Sequence, residues 1–220
     1  MLLAIHTSDA HVPVFDSLLA QEAPGVELRH LVRPGLLDRA RDQGPEAVAA
    51  DLAELLALAR DQGAGAVLCT CSTIGSVAEE AAAHGGTPVT LRVDRPMAAA
   101  AVAAGPRVAV VATQSSTVGP TSALIRQEAA RAGREVRVRT HVHEEAWPLF
   151  ARGEQEGYLD AVAAVVREVD ASGEADAIVL AQASTAPVAD RVQAAVPVLA
   201  SPRTGLRAAV AALGGAAHRA

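Results

Sequence analysis

The sequence contains no lysine and no asparagine, so all 19 of its basic residues are arginines. Without lysine, there is no Schiff-base amine for pyridoxal phosphate and no P-loop lysine for a nucleotide phosphate. Without asparagine, there is no acceptor for N-linked glycosylation. Aromatic residues make up only 2% of the chain, which argues against stacking platforms for nucleobases. These absences exclude several common kinds of site.

The chain also lacks long apolar runs and an excess of basic residues. No stretch of about 18 apolar residues is free of charge, so no membrane span is predicted. The formal net charge is −6, which does not favour nucleic-acid binding. The N-terminus has no basic segment ahead of its short apolar run, so it is not typical of a signal peptide. We therefore expect a cytoplasmic protein with neither a membrane nor a nucleic-acid partner.

The two cysteines, Cys69 and Cys71, are separated by a single residue. This spacing is poorly suited to a disulfide between them, and their number and spacing do not match a zinc site. His141 and His143 share one face of an alternating segment, where a metal site is possible but a solvated edge strand is favoured. We expect neither a metal nor a cofactor.

Short apolar runs alternate with Ala-rich helical patterns along the whole chain. The runs at 2–7, 64–70, 107–113 and 175–182 are typical of buried strands. A chain of 220 residues that is half hydrophobic can bury one compact core or two small lobes. Strands that alternate with helices of this length indicate βαβ units, so we predict an α/β fold with mostly parallel sheets.

The second half of the sequence repeats the pattern of the first half. A shift of 111 positions aligns Ala66–Ala83 with Ala177–Ala194 without a gap. Near the starts of the two halves, the segment LLAIHTS resembles VAVVATQ. The repeat predicts two similar lobes with a cleft between them. The N-terminal lobe would comprise residues 1–97 with 206–220, and the C-terminal lobe residues 98–205.

Small polar residues follow four of the predicted strands. Ligands of parallel sheets bind beyond the carboxyl ends of the strands, so we expect these residues to line the cleft. Their hydroxyl and amide groups, with backbone N–H groups at helix starts, suit a small carboxylate. The predicted substrate-binding residues are Thr7, Ser8, Ser72, Thr73, Thr113, Ser115, Ser116, Thr117, Gln182, Ala183 and Ser184.

Cys71 is the strongest candidate nucleophile or base among these strand ends. It lies where a strand pattern passes into a helix pattern, and a helix N-terminus favours the thiolate form. A buried structural thiol is the alternative, and for Cys69, inside the strand, that alternative is favoured. His6 ends the first strand and is either a site residue or a packed one. The aromatic segment 143–158 is either a lid or a packing loop.

With these motifs the chain resembles the aspartate/glutamate racemase superfamily, whose relatives include hydantoin racemase, maleate isomerase and arylmalonate decarboxylase. The resemblance covers nearly the whole chain and implies two Rossmann-like lobes related by a pseudo-twofold axis. The first family motif, a strand ending in Cys-Asn-Thr or a close variant, corresponds to Cys71-Ser72-Thr73. The second usually ends in Gly-Cys-Thr or Gly-Cys-Gly, and the matching strand here ends in Ala181-Gln182-Ala183-Ser184.

The resemblance implies a reaction as well as a fold. In the racemases, two cysteines act on opposite faces of the substrate's α-carbon, but Gln182 replaces one of them here, and glutamine is not a general acid or base near neutral pH. The implied activity is therefore a cofactor-independent isomerase or lyase with the single catalytic residue Cys71. It would act on a small carboxylic or amino acid, beside the carboxylate or by addition to an activated double bond. A dimer or larger homo-oligomer is also implied. The alternative is a binding protein of the same fold without catalysis.

Overall fold

The computed structural model of the protein describes residues 1–83 and 88–217. The chain forms two compact units, of which unit 1 comprises Met1–Val93 with the C-terminal helix from Pro202, and unit 2 comprises Asp94–Ser201. Each unit has its own four-stranded parallel sheet with helices, which confirms the predicted α/β fold class. His84 and His218 lie outside the described residues. Within the described part of the chain, no helix is long and apolar enough to cross a membrane.

The strands are short and the helices carry most of the regular structure. The strands are β1 (Leu2–His6), β2 (Leu28–Val32), β3 (Ala66–Cys69), β4 (Val89–Arg92), β5 (Arg107–Ala112), β6 (Arg137–Val142), β7 (Ala177–Leu180) and β8 (Val198–Ala200). The α-helices are α1 (Val12–Glu22), α2 (Pro34–Gln43), α3 (Ala49–Asp61), α4 (Ser72–Ala83), α5 (Arg95–Ala104), α6 (Val118–Arg131), α7 (Trp147–Ala151), α8 (Gln155–Ala171), α9 (Val188–Arg191) and α10 (Ser201–Ala217). The 3-10 helices are Asp9–His11, Pro45–Val48, Ser115–Thr117, Glu144–Ala146 and Ala183–Thr185.

The two sheets have the same strand order. In unit 1 the order is β2-β1-β3-β4, and in unit 2 it is β6-β5-β7-β8, with every neighbouring pair parallel. The central pairs are in equivalent register, since Ile5 pairs with Cys69 and Val111 pairs with Leu180. This common topology is what the internal sequence repeat predicted.

The central strands of unit 1 are buried on both faces. Leu2 to Ile5 of β1 and Ala66 to Cys69 of β3 have no exposed surface. Because side chains alternate along a strand, Leu3 and Ile5 pack against α2, α3 and α4, whereas Leu2 packs against α1 and α10. Such two-sided burial explains the continuous apolar runs in the sequence. The polar residues that follow these two strands therefore lie at a rigid edge of the sheet.

Helix α9 in unit 2 is shorter than the sequence predicts. The sequence pattern over residues 187–196 is typical of a helix, but α9 covers only Val188–Arg191 and the backbone is extended at Val192. The Asp170 carboxylate accepts hydrogen bonds from Ala195 N at 2.9 Å and from Val196 N at 3.2 Å. These amides are satisfied without a helical turn, so the chain runs directly into β8.

Candidate active site

Cys71 lies at the start of helix α4, two residues after β3 ends. Its side chain is nearly buried, with 8% of the residue exposed. The first turn of α4 also receives a positive charge, because the buried Arg92 guanidinium donates to the Ser72 carbonyl at 3.3 Å. A helix N-terminus and a guanidinium both attract negative charge, so the start of α4 is a favourable place for an anionic group. Sequence reasoning missed Arg92, since it enters from β4, 21 positions after Cys71.

The loop after β1 lies beside the loop that carries Cys71. Thr70 N donates to the Ile5 carbonyl at 3.0 Å and so joins the two strand ends. Thr7 is buried, whereas Ser8 is half-buried and its Oγ accepts from Ala10 N at 3.3 Å. Ser8 therefore caps the 3-10 helix that follows. In unit 1 the structure thus brings the loops of two predicted site motifs together.

The predicted residues that follow Cys71 differ in exposure. Ser72 is half-buried and Thr73 is exposed, both in the first turn of α4. Cys69 has no exposed surface, and its thiol donates to the Cys71 carbonyl at 3.7 Å. No disulfide joins Cys69 to Cys71. The Cys69 side chain thus belongs to the core of unit 1 and supports the backbone of Cys71.

In unit 2, Gln182 and Thr113 form a rigid pair at the ends of β7 and β5. The Gln182 Oε1 atom accepts from Thr113 N at 2.7 Å and from Thr113 Oγ1 at 2.9 Å. Because a backbone N–H can only donate, the amide oxygen must face Thr113. The Gln182 Nε2 group therefore points away from Thr113. Among the described residues it has no hydrogen-bond partner, so both of its N–H bonds can serve a ligand.

Tyr158 extends this pair into a buried network. Its hydroxyl lies 3.1 Å from Thr113 Oγ1 and 2.8 Å from Ser184 Oγ. Since Thr113 donates its proton to Gln182, Tyr158 must donate to Thr113 and Ser184 must donate to Tyr158. Each hydroxyl is then used once as a donor, which holds Gln182 and Ser184 in place. The sequence placed Tyr158 only within the aromatic segment 143–158 and did not predict this role.

Strand register shows that Gln182 is the counterpart of Cys71. Cys71 follows the Ile5–Cys69 pair by two residues in unit 1, and Gln182 follows the Val111–Leu180 pair by two residues in unit 2. By the same register, Thr113 is the counterpart of Thr7. The ungapped sequence alignment therefore corresponds to equivalent positions in two sheets of the same order.

The remaining predicted binding residues of unit 2 lie in two 3-10 helices. Ser115 N donates to Glu144 Oε1 at 3.3 Å, and Thr117 Oγ1 donates to the Gln114 carbonyl at 2.9 Å. Ser115 and Ser116 are exposed, so their hydroxyls are open to solvent. Ala183 and Ser184, both half-buried, begin the second of these helices, directly after Gln182.

The aromatic segment 143–158 packs onto the core of unit 2. The Phe150 ring lies 5.1 Å from the Trp147 ring and 5.1 Å from the Tyr158 ring. Leu149 and Phe150 also contact the buried cluster around β5 and β7. These contacts match the packing alternative for the segment and explain why Tyr158 is fully buried.

His141 lies on the edge strand β6, as the sequence favoured, and His143 follows directly after the last residue of that strand. Burial, and secondarily the charge of Arg139, lowers the pKa of His141. His143 lies 3.4 Å from the Glu145 carboxylate. Within residues 1–83 and 88–217, no three His, Cys, Asp or Glu side chains are grouped so that they could hold a metal ion.

His6 is fully buried and belongs to a chain of polar contacts in unit 1. Its Nδ1 lies 2.8 Å from Thr70 Oγ1 and its Nε2 lies 2.8 Å from His30 Nδ1. The chain ends at the surface, where His30 Nε2 lies 3.0 Å from Asp16 Oδ1. The pKa of His6 is lowered from 6.5 to about 4, mainly by burial and in smaller part by the charges of His30 and His11.

The low pKa of His6 predicts a loss of stability in mild acid. The unfolded chain binds a proton at His6 below the ordinary pKa of 6.5, while the folded chain resists it down to about 4. Stability should therefore fall as the pH drops through that window, by about 2 kcal/mol from this residue at roughly pH 5. Urea unfolding across the window measures it, and the loss should be smaller in His6→Gln. Equal losses in both proteins would contradict this assignment.

The fold is that of solved amino-acid and allantoin racemases. Glutamate racemase RacE1 from Bacillus anthracis has a TM-score of 0.70 at 13% identity, over 98% of this chain and 82% of that one. An aspartate racemase homologue from Pyrococcus horikoshii OT3 has a TM-score of 0.67 at 12% identity, over 97% and 98%. Allantoin racemase from Klebsiella pneumoniae has a TM-score of 0.60 at 19% identity, over 99% and 87%. At these identities the likeness establishes the fold.

The family follows from the sequence itself. A family model described as Asp/Glu/Hydantoin racemase matches residues 2–209. The chain therefore belongs to the Asp/Glu/Hydantoin racemase family, as its strand-end motifs predicted. A search of curated protein sequences finds no match.

Proposed function

We propose that the protein is a cofactor-independent isomerase or lyase that acts on a small carboxylic or amino acid through Cys71. The observation that carries this proposal is a nearly buried thiol at the start of α4, with the Arg92 guanidinium on the same helical turn. Family membership supports racemase-type chemistry on small acids. The identity of Gln182 at the equivalent position of unit 2 supports a reaction that uses one acid–base group.

In its simplest form, the reaction is a proton transfer at a carbon next to a carboxylate. The Cys71 thiolate takes the proton, and the electron pair of the C–H bond moves into the carboxylate to form an enediolate. The thiol returns a proton to the same face, which exchanges the α-hydrogen, and inversion requires a solvent proton on the other face. In the lyase variant, the C–C bond to a carboxylate breaks, CO₂ leaves and the electron pair of that bond forms the enediolate. The Cys71 thiol then protonates the carbon and regains a proton from solvent. Addition of the thiolate to an activated double bond is the other variant, and rotation about the new single bond followed by loss of the thiolate gives an isomerase.

The substrate carboxylate is proposed to bind the hydroxyls and amides at the strand ends. In unit 2 the open donor is the Gln182 Nε2 group, whose orientation is enforced by Thr113. Thr7, Ser8, Ser72 and Thr73 are the corresponding groups of unit 1. Donors held in place before the reaction stabilise an enolate without reorganisation, which is why removing one often costs about 10²–10³ in rate.

Changing Gln182 to glutamate tests its role as a donor. The new carboxylate can still accept from Thr113, but it presents negative charge where the amide presented N–H bonds. We expect affinity for a carboxylate ligand to fall about 10–100-fold, the range of a hydrogen bond to a charged group. Ligand titration by calorimetry measures it.

Gln155→Glu is the matched control, since it makes the same change at an exposed position at the start of α8. Its affinity should equal that of the wild type. If Gln182→Glu binds as tightly as this control, Gln182 does not contact the carboxylate.

The alternative function is a carboxylate-binding protein without turnover. The observation in its favour is Gln182, since a site without a second acid–base group can hold a ligand and leave it unchanged. A thermal-shift screen of dicarboxylates, amino acids and hydantoins, followed by NMR of each stabilising compound in D₂O, separates the two functions. Binding with deuteration or conversion supports the enzyme, and binding with neither after prolonged incubation supports the alternative.

Assembly into a dimer or larger homo-oligomer remains a prediction from the family resemblance. Size-exclusion chromatography with light scattering measures the mass directly. A mass near that of one 22.4 kDa chain would contradict it.

A further inference from the structure

Unit 1 supports the Cys71 loop with a contact that unit 2 lacks. His6 Nδ1 lies 2.8 Å from the Oγ1 atom of Thr70, the residue directly before Cys71. At the equivalent positions of unit 2, Ala112 and Ala181 replace His6 and Thr70, so no such bond can form. The polar contact is therefore specific to the half of the chain that carries the thiol.

Several groups face His6 from the elements packed around it. His30 approaches from β2 at 2.8 Å, and Phe15 of α1 lies with its ring 5.5 Å from the His6 ring. The His11 ring lies 6.1 Å away, and its buried Nδ1 has no hydrogen-bond partner in the part of the chain that the structure describes. Burial lowers the pKa of His11. Asp16 lies 3.0 Å from His30 Nε2, and its negative charge raises the pKa of His6.

The hydrogen bonds of this chain can be arranged in two ways. In the first, Thr70 donates to His6 Nδ1, His6 Nε2–H donates to His30, and His30 Nε2–H donates to the Asp16 carboxylate. Every group is then satisfied and both rings are neutral. The order of donors runs from the Cys71 loop outwards to the surface.

The second arrangement contains one more proton, taken from solvent and shared by His30 and Asp16. His30 Nδ1–H then donates inwards to His6 Nε2, so the single proton of His6 lies on Nδ1 and is donated to Thr70. The Thr70 hydroxyl turns to the Ile5 carbonyl, which lies 3.1 Å from it. His6 stays neutral in both arrangements, because burial lowers its pKa to about 4.

We propose that His6 is a positioning residue for the Cys71 loop, and that protonation of the His30–Asp16 pair switches it between its two neutral tautomers. The switch reverses the bond between His6 and Thr70 and turns the Thr70 hydroxyl. Its consequence for catalysis rests on the proposed role of Cys71, but the tautomer change itself does not.

Nitrogen-15 NMR of the histidine rings in the full-length protein tests the switch, since it reports which ring nitrogen carries the proton. On acidification, we expect the His6 proton to move from Nε2 to Nδ1 while the ring keeps only one proton. The backbone amide signals of Thr70 and Cys71 should shift with the same midpoint. A His6 proton that stays on the same nitrogen across the whole pH range in which the protein remains folded would overturn the proposal.

Variants at the surface end and at the buried end of this hydrogen-bonded chain distinguish a positioning role of His6 from simple packing. Asp16→Asn removes an exposed carboxylate that stabilises the added proton, so the midpoint of the switch should move to lower pH. The matched control Asp9→Asn, also exposed, should leave it unchanged. If the pH dependence of the His6 tautomer is the same in Asp16→Asn and in the wild type, the His30–Asp16 pair does not control the switch. This conclusion does not depend on how the buried variants behave.

His6 can also be replaced by either of two amides. His6→Asn places its amide near the Nδ1 position and should keep the contact with Thr70 but lose the pH response of the Cys71 amide. His6→Gln reaches towards the Nε2 position and should lose the contact, with kcat lowered about tenfold at constant KM. Equal kcat in the two variants would contradict positioning. If Cys71→Ser leaves turnover intact, the proposed function fails while the ring spectra still decide the tautomer switch.

Discussion

Replacing Cys71 by serine should lower the turnover of any substrate that the protein converts by about 10²–10⁴-fold, the usual contribution of a general acid–base group. The serine hydroxyl has nearly the same shape as the cysteine thiol but does not ionise near neutral pH. The substitution therefore tests the acid–base function of the thiol with little change in the shape of the side chain. Turnover of a compound identified by the ligand screen, followed by NMR with equal enzyme concentrations, measures the loss. Iodoacetamide should inactivate the wild-type enzyme, and a bound carboxylate should protect it.

Cys69→Ser is the matched control for this experiment. Cys69 lies in the core and its thiol donates to the Cys71 carbonyl, a bond that a serine hydroxyl can also make. The control should keep most of its activity. Equal activity of Cys71→Ser and Cys69→Ser would show that Cys71 is not the catalytic group.

Gly205→Ala should destabilise unit 1 more than other glycine substitutions in helices. A Cβ atom at Gly205 would lie 2.4 Å from the Val93 carbonyl oxygen and 2.9 Å from Val93 Cα. Both obstacles are backbone atoms, so helix α10 must move as a body. We expect a loss of about 1–3 kcal/mol, typical of overpacking, seen as a fall in Tm of roughly 3–10 °C.

Gly119→Ala provides the comparison, because Gly119 lies in α6 with open space around its Cβ position. An alanine there loses less chain entropy on folding, so Tm should stay the same or rise slightly. Equal unfolding temperatures of Gly205→Ala and Gly119→Ala would contradict close packing of α10 on Val93.

The fold was predictable because its signals are local. Buried parallel strands need continuous apolar runs, and the runs of β1, β3, β5 and β7 stand out in the sequence, as does the polar residue that follows each. The internal repeat also predicts that the two halves of the chain fold alike. The sequence alone identifies Cys71 and Gln182 as equivalent, because they align in the ungapped repeat and each follows a predicted buried strand.

The details of the site were not predictable because they depend on contacts between distant segments. His6 meets His30 and Thr70, which are 24 and 64 residues away in sequence. Arg92 reaches the first turn of α4 only because β4 is the strand next to β3. The orientation of the Gln182 amide depends on Thr113, 69 residues earlier. No periodicity or motif records such pairs.

The central claim is that Cys71 acts on a carboxylate substrate without a second acid–base group. Its most direct test is to incubate each enantiomer of aspartate, glutamate and allantoin with the protein in D₂O, and to compare loss of the α-hydrogen with appearance of the other enantiomer. One thiol returns deuterium to the face from which it took hydrogen, so we predict that deuteration of one enantiomer outpaces its inversion and disappears in Cys71→Ser. Inversion as fast as deuteration from both enantiomers would contradict the claim, because it requires a second group on the opposite face.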